Sequence, residues 1–432
     1  MRVASGVCAI QVEVKYDLNK LGHPFLPETD KGGAEMPKAR TGAAAFTGCC
    51  TAIFWPGAFI FGFPGVLGPY WQQAFEVGRT EVGKSLFFIL AGAGSCMYLT
   101  GRWQERLGFP RITALGAVVC GGSTVLLGNA TSMGLVYAWA FLVGASSAFI
   151  YIPALTVVQR WYPHRRGLVS GVVNMVFGLS AAAMSPLYPW LLARMRYQVM
   201  TLTLGLIAAG IGFTAAFFIR LPRSQDAAGV VQTPIISPPP SLTVRQSLQT
   251  RAFWFLWLTW ALAGAAGIAM VFLATAFGVS RGFSIQKAII LQTAFNLTNG
   301  VGRLASGYAS DRWGRNRTLV CAFLLAACAY QLLPHMESAA SSAVMTAAVG
   351  LAFGSLFAVS APLAVDCFGL AHFGAIFGLI FTAYGFISGI LGPWLSGFLI
   401  DLSHGNFTLV FTYLGGLYAI AAVLVWFVRP RQ

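Results

Sequence analysis

The sequence predicts an all-α membrane protein, with about twelve transmembrane helices in two six-helix bundles, and three observations carry that prediction. Of the 432 residues, 57% are hydrophobic and only 9% are charged, far below the quarter or so of charged residues that a soluble domain carries. No charged residue occurs between Ile112 and Gln159, a run long enough for two spans at about 20 residues each. The third observation is an internal repeat: Gly101, Glu105, Arg106, Gly108 and Arg111 recur as Gly307, Asp311, Arg312, Gly314 and Arg317, every pair 206 positions apart. Two parallel copies of a multi-helix unit place one site between the halves. Alternation at every second residue, which a membrane barrel needs, is nowhere sustained.

The elements follow in order from the hydropathy. Six apolar spans lie near residues 44–70, 82–100, 112–128, 133–159, 168–192 and 200–218, and six more near 252–277, 288–307, 318–333, 343–365, 374–395 and 409–428. Each is long enough to cross a hydrocarbon core as a helix, the form that satisfies its own backbone there. The domain reading is a tail over 1–43, an N-terminal bundle over 44–220, a linker over 221–251, a C-terminal bundle over 252–428 and a short tail over 429–432. The linker core, Ile235 to Leu242, holds three prolines with serines and no apolar period, which suits a partly disordered connection. Residues 1–35 mix charges without a sustained apolar core, unlike a secretory leader, and read as an extension or flexible tail ahead of Met36. Pro64-Gly65 in span 1, Pro153 in span 4, and Gly385, Gly389 and Gly392-Pro393 in span 11 are expected to let a rocking bundle bend.

Lysine and arginine placement sets the orientation. With both termini cytoplasmic, 21 of the 28 basic residues fall on inner segments, six on outer loops, and Arg303 inside a span, as the positive-inside rule requires. The net charge of +15 is thus a topology signal, and no soluble basic face with interleaved aromatics suggests nucleic-acid binding. The eight cysteines have no metal-ligand spacing and read as small buried hydrophobes. The sequon at Asn129 lies in a very short outer loop and is expected to be unused. No phosphate-binding Gly-rich Lys-Ser/Thr loop, nucleophile-base pair or metal cluster is present, so no enzyme activity, cofactor or metal is expected.

Arg303 stands eight residues before Asp311, roughly 12 Å deeper at about 1.5 Å per residue, and no acid shares its span. Such a cation faces an aqueous cavity and marks a substrate path; its planar fork matches a carboxylate. Snorkelling to the inner interface is the plainer alternative. Asn299, one helical turn earlier, is placed to take a hydroxyl or keto oxygen of the same ligand, or to bond a neighbouring helix.

The repeated turn resembles the loop signature of the major facilitator superfamily, with Asp311, Arg312, Gly314, Arg315 and Arg317 fitting fully and the first copy carrying Glu105 and Phe109 in place of the usual acid and base. Physically, the glycines permit close helix approach, while the acids and arginines can cap helix ends and pair across an inner gate. Arg160-Trp161-Tyr162-Pro163 with Arg165 to Gly171, then Phe177-Gly178, is similar to the turn into span 5 of monocarboxylate and oxalate/formate transporters; Leu248 to Trp257 and Asp366 to Gly369 are similar too. The resemblance implies a secondary carrier of a small organic anion, with an aromatic cavity at Tyr151, Phe177, Phe353, Phe357, Phe381 and Tyr384. Where the exchangers of that group carry a lysine in span 11, this chain has Tyr384. Where proton-coupled members carry an acid before the arginine and a lysine in span 1, it has Asn299 and Gly65. One cation suits one carboxylate. The expectation is therefore a monomeric monocarboxylate carrier of the plasma (bacterial inner) membrane, coupled to a proton or a counter-anion. An oxalate/formate-type exchanger, a drug or sugar carrier, and a non-transporting sensor are the alternatives.

Overall fold

The computed structural model describes residues 36–184, 186–222 and 241–429; the proposed tail over 1–35 and the proline cluster of the linker lie outside the described residues. The described chain is built of twelve long helices. The first half comprises α1 (Met36–Ala74), α2 (Arg79–Leu107), α3 (Phe109–Leu127), α4 (Met133–Trp161), α5 (Arg166–Met184, resuming as Leu187–Arg194) and α6 (Tyr197–Ala216). The second comprises α7 (Arg251–Ser280), α8 (Ile285–Trp313), α9 (Arg315–Leu332), α10 (Ala339–Phe368), α11 (Phe373–Leu402) and α12 (Phe407–Trp426). Eleven are long and apolar enough to cross a membrane. The other is α8, where Gln292, Asn296, Asn299 and Arg303 recur at helical spacing along one face and dilute the apolar composition.

Helix starts are set by local chemistry. The side chains of Thr250, Ser338 and Asn406 accept hydrogen bonds from amides in the first turns of α7, α10 and α12, filling donors a helix start otherwise leaves unpaired. The repeat is also reproduced in three dimensions. Arg79–Leu107 and Ile285–Trp313 begin and end 206 positions apart, as do the starts of α3 and α9 and of α4 and α10.

Two expectations are corrected. The repeated segment is mostly helix: Gly101, Glu105 and Arg106 belong to α2, their counterparts to α8, and the turn narrows to Gly108 (φ +89) and Gly314 (φ +93). Those left-handed backbones favour glycine. The cysteines are not uniformly buried, since Cys321 and Cys328 on α9 are exposed while Cys49, Cys120 and Cys367 are enclosed. The helix breakers act unequally. α1 and α4 run unbroken through Pro64 and Pro153, whereas α11 winds as π-helix over Ala383–Ser388 and Ile390–Trp394. Pro186 lies in a turn before the segment Leu187–Arg194 of α5 and stands 207 positions before Pro393 in α11.

Within the halves α2 packs on α4, α3 on α6, α8 on α10 and α9 on α12; between them α5 meets α8 and α2 meets α11. Glycines make this seam close. A Cβ on Gly101 would overlap the backbone of Gly374, and one on Gly307 would overlap the carbonyl of Gly167. The backbones therefore touch directly at two symmetry-related crossings.

Candidate functional site

Arg303 is fully buried in α8 at the seam. Its Nε and Nη2 each donate to Asn299 Oδ1 at 3.3 Å, and its Nη1 donates across the seam to the backbone carbonyl of Asn174 in α5 at 2.9 Å. Its Cζ lies 4.7 Å from the Phe357 ring centre, a cation–π distance. Among the described residues no carboxylate pairs with it. The guanidinium thus lies among neutral acceptors and a π-face, and a buried arginine in a membrane span is a candidate functional group.

Above Arg303 lies a cavity of about 410 Å³ whose lining includes Phe61, Ile268, Thr293, Asn296, Asn299, Phe353 and Tyr384. That size suits a small ligand. A smaller apolar chamber of about 40 Å³ adjoins it, bordered by Tyr151, Phe177, Phe357, Phe381 and again Tyr384. All eight residues singled out by sequence therefore line one of two adjoining spaces or, as with Arg303, form the floor. Tyr151 donates to Asn174 Oδ1 at 2.8 Å, and Asn174 Nδ2 donates to the Ser170 carbonyl at 2.8 Å. Tyr384 sits in an aromatic ring, its centroid 5.3 Å from Phe381, 5.5 Å from Phe357 and 5.8 Å from Trp260. Four of the aromatics are repeat partners: Phe357 follows Tyr151 by 206 positions and Tyr384 follows Phe177 by 207.

Sequence reasoning missed Asn174, Trp260 and Asn296. Asn174 carries the same signal as Asn299, an amide in an apolar span, but nothing in the sequence links it to Arg303, 129 positions away. Asn296 was visible as part of the polar stripe on α8.

Below Arg303 the seam is closed by charge. Asp311 accepts from the amides of Gly167 at 3.0 Å and Leu168 at 2.8 Å, the first turn of α5, where a carboxylate meets unpaired donors and the positive end of the helix. Asp311 also pairs with Arg315, whose Nε reaches Asp366 at 3.2 Å. Arg166 of the first half meets Asp366 at 3.4 Å. On the symmetry-related side Glu105 pairs with Arg160 at 3.1 Å, and Arg160 donates to the Leu370 carbonyl at 3.2 Å. Arg312 lies over the Tyr308 ring at 4.6 Å, while Arg106, Arg111 and Arg317 point outward and are exposed. The inter-bundle hydrogen bonds thus run from Arg303 down to the turn-bearing face, pinning the halves there beneath the cavity.

Residues 43–293 and 268–432 match the family described as Major Facilitator Superfamily. The chain is 28% identical over 336 residues to the oxalate:formate antiporter of Oxalobacter formigenes, covering 77% of this chain and 78% of that protein. It is 25% identical over 391 residues to monocarboxylate transporter 13 of Rattus norvegicus, covering 87% of each. Among solved structures, the transporter FucP in its outward conformation superposes with a TM-score of 0.68 at 15% identity, over 91% of this chain and all of that one. The human organic anion transporter MFSD10 (TETRAN) gives 0.66 at 16%, over 90% and 99%. At those identities the structures speak for the fold alone.

Proposed function

The chain belongs to the Major Facilitator Superfamily, and from that premise we propose that it is a secondary carrier moving a small organic monoanion by alternating access, with Arg303 binding the carboxylate. The observation that carries the reading is the buried, carboxylate-free guanidinium at the floor of a cavity between the two halves. A monocarboxylate fits it by charge. Its carboxylate meets the fork of Arg303, and its apolar part lies against Phe353 and Tyr384. A hydroxyl or keto oxygen would find Asn299 or Asn296 on the polar stripe of α8. The oxalate:formate antiporter and monocarboxylate transporter 13 carry names of the same substrate class, which supports the choice of an organic acid. The turn-bearing face, rich in arginine, is assigned to the cytoplasm by the positive-inside rule, so the closed gate at Asp311 is the inner one and the protein is outward-facing.

The test is uptake of labelled lactate, pyruvate and related acids into proteoliposomes. Arg303→Ala should abolish saturable uptake while the protein still inserts and folds, because removing a lone buried cation relieves a burial cost and loses the ligand contact. Arg303→Lys should rescue poorly, lacking the bidentate fork. Normal-affinity uptake by Arg303→Ala would sink the assignment.

A further inference from the structure

The guanidinium that should receive the anion is already engaged. Of the two edges a carboxylate can grip with paired hydrogen bonds, the Nε/Nη2 edge is filled by Asn299 Oδ1 and the other includes Nη1, which is donated to the Asn174 carbonyl. These two partners differ mechanically. Asn299 lies one turn away on α8 and travels with Arg303, so its bonds do not resist separation of the bundles. Asn174 belongs to α5 in the opposite half, and its carbonyl can hold a second donor besides its own helical N–H because it has two lone pairs. Gly178 makes this possible. A Cβ there would lie 3.0 Å from Arg303 Cζ and 3.1 Å from Nη1, pressing on the guanidinium where it rests against α5.

We propose that the Arg303 to Asn174 carbonyl bond is a cross-bundle latch of the empty carrier, seated on Gly178, and that the substrate carboxylate releases it by taking the Nη1 donor. The anion competes with α5 for one donor, so it binds the unlatched arrangement better than the latched one. That differential affinity is what allows a ligand to shift a conformational equilibrium. A carrier without anion stays pinned along α5 and α8; a loaded carrier is free to part there. The proposal rests on the reading of Arg303 as the anion's contact.

Two measurements test it. In proteoliposomes preloaded with anion the ratio of net efflux (no anion outside) to exchange flux (anion on both sides) is compared within each protein, which removes differences in expression and intrinsic turnover. Gly178→Ala should raise that ratio about tenfold, the size expected for losing one hydrogen bond to a charged group. In parallel, nitroxides at positions 164 and 312, both exposed and on either side of the seam, report the opening of the turn-bearing face. Saturating lactate, or whichever acid in the uptake panel binds, should lengthen that distance in the otherwise unaltered protein, and Gly178→Ala should show the longer distance without anion. A Gly178→Ala protein that binds anion yet keeps its flux ratio overturns the latch. An anion that leaves the distance unchanged overturns it too, whether or not Gly178→Ala folds. Normal anion binding by Arg303→Ala overturns instead the site reading beneath it.

Discussion

In the proposed site Arg303 is surrounded by neutral groups, and Tyr384 would set how much charge the ligand can bring. The tyrosine stands in an aromatic ring of Trp260, Phe357 and Phe381. A second carboxylate beside it would be buried without a partner, at a cost of several kcal/mol after relaxation. At about 1.4 kcal/mol per tenfold, that discriminates by orders of magnitude. Lactate or pyruvate should compete well for uptake and oxalate poorly, and Tyr384→Lys should shift the preference toward the dianion. Competition assays at a pH where oxalate is fully ionised decide it; oxalate outcompeting lactate in the unmodified protein would show the single-cation site to be wrong. The depth and isolation of Arg303 were legible from its spacing to Asp311 and the absence of acids in its span. Its partner in the other bundle was not, because a contact to a backbone carbonyl depends on no particular side chain and leaves no residue pattern.

At the scale of single helices, α5 and α11 are the ones that change character along their length. The sequence marked α11 through Gly385, Gly389 and Gly392-Pro393, and the helix does rewind there. It also marked Pro64 and Pro153, where nothing breaks, since neighbouring helices can re-satisfy a backbone group freed by proline inside a bundle. The turn at Pro186 was overlooked, although its repeat partner is Pro393. The first turn of α5 is held by Asp311 from the other half, which gives that carboxylate a testable role. In Asp311→Asn the amide oxygen can still accept, but the pairing with Arg315 and the charge assistance are lost. Charge-assisted bonds contribute about 1.5–3 kcal/mol each. The form closed on the turn-bearing face should therefore lose roughly one to two decades of population. Cysteine accessibility on that face should rise and turnover should fall while the equilibrium dissociation constant moves little. Binding weakened as much as turnover would place Asp311 in contact with substrate.

For the whole molecule the repeat gives two similar halves, and function comes from where they differ. Arg303 has Met97 as its repeat partner, 206 positions earlier, and each is met by a glycine of the opposite bundle: Gly171 lies against the Arg303 carbonyl and Gly378 against that of Met97. The scaffold is symmetric at this crossing while the charge sits in one half. The acids of the described residues, Glu76, Glu81, Glu105, Asp311, Glu337, Asp366 and Asp401, all lie at helix ends or in connections. None lines the cavity. Tyrosine hydroxyls, with an ordinary pKa near 10, do not serve as proton carriers at neutral pH. Among the described residues that line the cavity there is no carboxylate or imidazole to carry a proton. We therefore propose that the charge of the transported anion is balanced by carrying another anion back. Loading proteoliposomes with unlabelled lactate should stimulate labelled lactate uptake about tenfold, the span of a modest coupling free energy of about 1.4 kcal/mol. An inward proton gradient of about one unit with no anion inside should change uptake less than about twofold, because a gradient acts only through a group that titrates during the cycle. Uptake that accumulates lactate on the proton gradient alone, with no trans-stimulation, would require a proton carrier on the substrate path and would rule out anion exchange.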